Sequence, residues 1–372
     1  MRFPVIRHPI WIGLLVVATV SGCRFFLSPA PNDSGAEELS RDASSVWSLT
    51  YSADGSLLLS SHIHQCCSSV RCSHLPGPTR FDLWSTSPLR QGHLATFHAP
   101  NWRFTPTQHR FSSDGRFVFS AAFQGLLQWD VTAQRLEMKF PGDHIVLAPD
   151  CRTAIRVAGN ASIDDVSSKA DPTVELWDLT LDWPLQCLGT ERTFGSPIEF
   201  LPDGQRVLAW TNVPREASRL VMWDLRKGTR AALEIDEPLN GAVYLSADGR
   251  RLGIQTLRNE KHQVQVINTT TGRQLACIPS WDGARRVALS AAGDIVAMGG
   301  ESSDTDERRG EIQIWRVRDG KRLKTIIDPS TWGITALCFS PDGETLASGD
   351  LDGIVKRWTM PPSDNAAEDG DW

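Results

Sequence analysis

Excess positive charge is absent from this sequence: 38 lysines and arginines stand against 44 aspartates and glutamates, a formal charge of −6. Such a chain offers no global basic field to a phosphate backbone, which excludes nucleic acid as the expected partner. Also missing are a phosphate-binding glycine loop, a Gly-x-Ser-x-Gly nucleophile elbow and a His-Glu-x-x-His zinc motif. Neither a catalytic constellation nor a cofactor is therefore expected. Paired Cys-x-x-Cys units of the zinc-site kind are lacking too. Tyrosine is nearly absent, at two residues, yet there are 14 tryptophans. The 29 glycines and 22 prolines suit a globular chain with many tight turns, and a hydrophobic fraction of 41% excludes disorder throughout. At 372 residues the chain has room for two average domains or for one large repeat fold.

The N-terminus has the three-part layout of an export signal. Arg2, Arg7 and His8 precede an apolar run from Ile10 to Val20, and the small residues Ser21 and Gly22 follow. That run is shorter than the roughly 20 residues a bilayer-spanning helix requires. Val20-Ser21-Gly22-Cys23 resembles the lipobox of bacterial lipoproteins, which implies acylation of Cys23. Phe25, Phe26 and Leu27 extend the apolar stretch past Arg24, so an uncleaved signal anchor is a second reading and an incidental apolar start a third. The first two place the body outside the cytoplasm, attached to a membrane of a bacterial envelope. The sequence thus divides into a signal over 1–23, a linker with a possible ring-closing strand over 24–45, a repeat body over 46–360 and an acidic tail over 361–372.

Within the body one pattern returns seven times: an alternating strand, a four-residue turn, a second strand, then a strand ending in an aromatic. The turns begin at Ser52, Ser112, Ala148, Leu201, Ser246, Ser290 and Ser340, and most carry Asp-Gly. Glycine supplies the positive φ of a hairpin turn, and aspartate bonds back to its own backbone. Cys151 takes the glycine position of the third turn, so that turn is expected to be rebuilt or mildly strained. The third strand's aromatic recurs at Trp84, Trp129, Trp177, Trp223, Trp315 and Trp358, with Ile267 in the fifth repeat. A spacing of about 45 residues is a propeller-blade period.

At Gln128-Trp129-Asp130-Val131, Leu176-Trp177-Asp178-Leu179 and Met222-Trp223-Asp224-Leu225 the chain resembles WD-repeat propellers. The resemblance implies an all-β, seven-bladed propeller of four-stranded antiparallel blades over roughly Val46 to Thr359, with the tryptophans in the core. It also implies a buried tetrad of histidine, serine or threonine, aspartate and tryptophan in each repeat. The last repeat keeps Ser348, Asp352 and Trp358, with Ser330 near the histidine position, and the other repeats have mostly lost the set. In the family a segment before the first repeat supplies the last blade's fourth strand, and Ala36-Glu37-Glu38-Leu39 lies at the matching place, although its residues are poor strand formers.

Short turns between strands a and b, and mostly between c and d, contrast with long segments between b and c. These run over Ser60 to Thr79, Ala158 to Pro172, Thr211 to Ser218 and Gly299 to Gly310, and long loops often carry function. The first holds His62, His64, Cys66, Cys67, Cys72 and His74. If the strand continues, His62, His64 and Cys66 share one side. A disulfide from Cys66 or Cys67 to Cys72, a plain thiol-bearing loop and a zinc or copper site are the three readings of that cluster. Cys187, Cys277 and Cys338 fall in strand patterns and read as buried thiols. Arg316, Arg318, Lys321, Arg322 and Lys324 surround a c-to-d turn and read as a solvated surface. The expected function is an extracytoplasmic scaffold that binds a protein or peptide partner through the long-loop face. A propeller enzyme with a loop-assembled site and a metal or redox sensor on the loop from His62 to His74 are the alternatives.

Overall fold

The computed structural model describes residues 36–40, 44–63, 80–87, 92–99, 106–122, 125–139, 144–158, 172–190, 196–211, 219–233, 242–258, 261–302, 309–329 and 332–360. Within them the chain forms seven four-stranded antiparallel sheets and no helix. The sheets are blades arranged in a ring. Their inner strands, a, are Ser45–Tyr51, Pro106–Phe111, His144–Leu147, Ser196–Phe200, Val243–Leu245, Ala284–Leu289 and Ile334–Phe339. Blades 1 to 6 follow with strands b, c and d in chain order. Blade 7 takes its outer strand from Ala36–Ser40, which runs antiparallel to Val355–Thr359 with Ala36 opposite Trp358. A strand of poor formers holds there because Glu37 Oε2 lies 3.4 Å from the Arg357 guanidinium and Leu39 packs against the apolar seam between blades 7 and 1.

Turn chemistry explains the regularity. In the first blade Ser52 Oγ donates to Asp54 Oδ1 at 2.6 Å and accepts the Leu57 N–H at 2.9 Å, while Gly55, at φ 72°, donates its N–H to Ser52 O. The same set recurs around Ser112, Ser246 and Ser340. Cys151 keeps the turn instead of rebuilding it. Its φ is 53°, its N–H reaches Ala148 O at 3.1 Å, and its thiol is buried against Phe111 O. In blades 2, 3 and 4 the aspartate after the tryptophan caps the c-to-d turn: Asp130, Asp178 and Asp224 each accept two backbone N–H groups two and three residues ahead. In blade 5, Asn268 does the same for Thr270 and Thr271.

Among the described residues, the buried apolar side chains fall into seven clusters, each formed at the seam of two adjacent blades. Strands b are therefore covered on both faces and buried nearly throughout, as in Thr345–Asp350 and Ile295–Glu301. Outer strands are open, as in Thr229–Ala232. Trp84, Trp129 and Trp358 are buried, and Ile267 fills the same position in blade 5. Trp177, Trp223 and Trp315 are only half-buried, which departs from the core role expected of all six. Their outer faces are covered by arginines of neighbouring strands, Arg156 at 4.6 Å, Arg230 at 5.7 Å and Arg322 at 5.8 Å from the ring centroids. Two thiols also differ from expectation: Cys187 and Cys277 sit on outer strands and are exposed, whereas Cys338 is half-buried.

A graded loss on truncation follows. Trp358→Ala removes a fully enclosed indole and should cost about 3–5 kcal/mol. Trp223→Ala should cost less, about 1–2 kcal/mol, because part of its surface already faces water. Denaturant melts of the two variants test the order, and equal losses would show that the Arg230 cover seals Trp223 as completely as a blade does.

Candidate partner-binding surface

The first repeat holds a polar network that the sequence pattern concealed. Ser60 on strand b pairs in register with Asp82 on strand c, which brings Ser60, His62, Asp82 and Trp84 to one buried locus. Trp84 Nε1 donates to Ser60 Oγ at 3.0 Å, and His62 Nε2 lies 2.9 Å from Ser60 Oγ and 3.3 Å from Asp82 Oδ2. Arg80 at 2.9 Å, His93 at 3.3 Å and Thr96 at 2.6 Å complete the surroundings of the carboxylate. This is a histidine, serine, aspartate and tryptophan set with the histidine drawn from strand b, more complete than the Ser348, Asp352 and Trp358 expected of the last repeat. The signal lay in Ser-x-His and Asp-x-Trp at period two, hidden by the long intervening loop.

Ser60, His62 and Asp82 do not form a nucleophilic triad. A triad needs the hydroxyl and the carboxylate on opposite ring nitrogens, and here both meet Nε2. The cluster is closed to solvent, and burial holds the His62 ring below its usual pKa against the pull of Asp82. The strand ends at Ile63, so His62 belongs to the blade interior and not to the loop whose histidines and cysteines it accompanies in sequence. His64, Cys66, Cys67, Cys72 and His74 lie outside the described residues, as does Cys23. Among the described residues no group of three or more His, Cys, Asp or Glu is placed to hold a metal ion. In the last repeat Trp358 Nε1 donates to Ser348 Oγ at 2.9 Å, and the Asp352 N–H donates to Asp350 Oδ1 at 2.9 Å. Ser330 is outside the described residues. Trp129 Nε1 is buried without a hydrogen-bond partner, its ring fixed instead against Phe97 at 4.7 Å.

The long-loop face offers a different chemistry at the mouth of the ring. Inner strands of blades 1, 2, 4, 6 and 7 carry a β-bulge near this face. A bulge re-aims a side chain, and in blade 1 it leaves Trp47 41% exposed beside Val46 at 1%. In blade 6 it turns Arg285 outward to Glu301 at 2.9 Å. Arg286 then reaches across, its Nε donating to Thr335 O at 2.6 Å and its guanidinium lying 5.7 Å from the Trp47 ring centroid. Thr335 Oγ1 donates to Val46 O at 2.6 Å, so blades 6, 7 and 1 are stitched in sequence. Trp281 Nε1 donates to Glu301 O at 2.6 Å. Trp332, 47% exposed, precedes Gly333, whose α-carbon is pressed so close to Glu301 that a Cβ would come within 2.8 Å of its side chain. Trp47, Trp332, Arg285 and Arg286 thus occupy one rigid rim. On another side of the mouth Arg110 pairs with Glu199, with Gln108 bridging the Leu147 N–H and Glu199 at 2.8 Å each, and burial raises the Glu199 carboxyl against the pull of Arg110.

Residues 320–359 match the family described as WD domain, G-beta repeat. With seven blades in a ring, the chain is a seven-bladed β-propeller whose last repeat carries the match. This propeller is 27% identical over 259 residues to autophagy-related protein 16 of Arabidopsis thaliana, a match covering 66% of the chain and 46% of that protein. The chain therefore corresponds to less than half of that relative's length. Among solved structures it resembles the Kuenenia stuttgartiensis hydrazine synthase, at a TM-score of 0.59 and 16% identity over 86% of this chain and 96% of that one. Identity that low speaks for the fold alone.

At the same rim, Asp350 is 1% exposed and its Oδ1 accepts the N–H groups of Asp352 and Ile354. Burial pushes its carboxyl up to about 8. The folded state thus favours the protonated form, so the stability it contributes is full in acid and lost as pH rises from the ordinary carboxylate range through 8. An asparagine in its place offers an amide oxygen that keeps both N–H bonds without the charge. Asp350→Asn should melt close to wild type at pH 5 and above it at pH 9, and parallel melting curves across that range would show that Asp350 stays ionised.

Proposed function

We propose that this propeller is a protein-interaction scaffold that takes a peptide or protein segment on its long-loop face, over the rim built by blades 6, 7 and 1. The observation that carries the reading is the cluster of exposed Trp47 and Trp332 with Arg285 and Arg286 on bulged, cross-stitched inner strands. Trp and Arg dominate binding hot spots because they offer large area and directional contacts at low ordering cost, and rigid support limits the entropy lost on binding. WD-repeat propellers commonly serve as interaction scaffolds, and the similarity to an autophagy-related protein is compatible with that role. The Trp faces and the guanidinium groups favour a segment of apolar side chains flanked by carboxylates.

Peptides selected by display against the purified protein provide the test. Trp47→Ala and Trp332→Ala should each weaken the selected peptides by about 30-fold, the size of a 2 kcal/mol hot spot. Arg318→Ala with Lys321→Ala, on the opposite face, should leave affinity unchanged. Loss of binding in the opposite-face variant alone would move the docking surface to the turns. Replacing residues 303–308 by a short glycine-containing link should spare stability, since closure entropy changes slowly with loop length. Strand b of blade 6 runs to Glu301, so a cut beginning at Gly299 would enter the blade.

Location belongs to the same proposal. The charged start, the apolar run and Val20-Ser21-Gly22-Cys23 support export followed by lipid attachment at Cys23, which would hold the scaffold on a membrane outside the cytoplasm. Intact-mass measurement of protein from its native membrane should give a chain that starts at a lipid-bearing Cys23. A mass that includes Met1 without lipid would replace this with the signal-anchor reading.

A further inference from the structure

Blade 3 leaves an apolar strip uncovered along its outer strand, Trp183–Thr190, and at the turn that leads into it. Leu181, Trp183 and Leu185 are 72, 67 and 51% exposed, and large apolar side chains grouped in this way mark an interaction surface. We infer that a second copy of this chain docks on the strip, in a two-fold dimer that sets blade 3 against blade 3.

The strip departs from the repeat at three positions. In blades 1, 3, 5 and 6 the outer strand has a β-bulge beside the strand c position held by Trp84, Trp177, Ile267 and Trp315, and the extra residue is a leucine each time: Leu94, Leu185, Leu275 and Leu323. Leu94, Leu275 and Leu323 pack against core clusters of their own chain, whereas Leu185 is left half in water. One residue further along strand c, the partner on the outer strand is Gly92, Arg135, Thr229 and Lys321 in blades 1, 2, 4 and 6. In blade 3 it is Trp183. Leu181 stands where the same turn of blade 4 has Lys227.

Charge and symmetry select the occupant. Trp183–Thr190 contains no lysine, arginine, aspartate or glutamate, so two copies of a chain whose total is −6 can meet there without like-charge repulsion. Lys321–Asp328 of blade 6, with Lys321, Arg322 and Lys324 exposed, would repel itself. At the margin of the strip the charges are of both signs. Asp182 is exposed between Leu181 and Trp183, and exposed Arg152 borders the same turn, its carbonyl accepting the Leu179 N–H at 2.7 Å. Hydrogen bonds led by the Thr180 hydroxyl hold the Asp178 carboxyl below its usual range, and Arg152 adds to that pull, which places the guanidinium beside the turn. An isologous contact exchanges the two members of every pair, so a two-fold axis through the strip sets Arg152 of each copy against Asp182 of the other. Indole and leucine then form the dry centre and the charges the rim. Blades 6, 7 and 1 stay outside the contact, so the dimer presents two long-loop rims.

Sedimentation equilibrium of the full chain in density-matched detergent reads the association directly. Wild type should follow a monomer–dimer equilibrium, and Trp183→Ser and Leu185→Ser should each weaken it by about tenfold or more without changing the thermal melt. Arg152→Glu and Asp182→Lys each create two like-charge contacts in their own dimer, so each should weaken it on the order of tenfold. Blade 2 holds Gln134 at the corresponding φ of 51°, so the turn accepts a long side chain in place of Asp182. An equimolar mixture of the two charge variants restores opposite charges at both contacts and should dimerise as wild type does. Wild type that stays monomeric, association that Trp183→Ser leaves intact, or a mixture no stronger than either variant alone would overturn the assignment. Monomeric wild type that binds phosphatidylcholine vesicles through Trp183 would give the strip to a lipid surface instead.

Discussion

A propeller blade is apolar on both faces and can bury neither by itself, so every blade depends on two neighbours and the ring depends on its last seam. Here that seam joins blade 7 to blade 1. Val46, Leu49, Tyr51, Leu58 and Trp84 pack against Ala336, Ala347 and Val355. The approach is tight enough that a Cβ on Gly349 would lie 2.3 Å from Val46 Cγ1. Polar stitches run alongside, from Ser45 Oγ to Leu351 O and from Arg357 to Thr86 O. In the next seam the buried Lys356 ammonium meets the Asp328 carboxylate, joining strand c of blade 7 to strand d of blade 6. Blade identity elsewhere is permissive by comparison, since Ile267 replaces a tryptophan and Cys151 replaces a glycine without loss of the blade.

Local chemistry was the legible part. Each four-residue turn carries its own instructions in Ser, Asp and Gly, so seven hairpins and hence seven blades could be read without knowing any neighbour. What depended on neighbours was harder. Whether Trp177 or Trp358 is enclosed turns on which side chain lies across the next strand, an arginine in one case and a blade face in the other. The blade 1 network required the register of strands b and c across a long loop, and His62 reads with the wrong partners because the end of its strand leaves no mark in sequence. Exposed Cys187 and Cys277 have the alternation of strands, but outer strands have only one neighbour to hide them. Loop lengths drew attention to the long-loop face. Trp47 and Arg285 were not foreseeable, because bulges placed them there.

The two faces of the ring are built differently. Turns on one face are fixed by side-chain caps, and a small departure from the repeat, such as Asn268 for aspartate, keeps the cap. On the other face the inner strands bend, and contacts such as Arg286 to Thr335 tie the rim together while leaving indole surface open. A segment bound there would meet an already rigid surface.

The outer strand of blade 7 has a mechanical meaning. Ala36 sits opposite Trp358 and Ser40 opposite Val355, so the chain enters and leaves this pair at the same end of the strand. Tension applied between the chain before Ala36 and the chain after Thr359 would load the rungs one at a time, in the manner of a zipper, instead of shearing them together. The ring would then yield first at its clasp under low force, with the other six blades still intact.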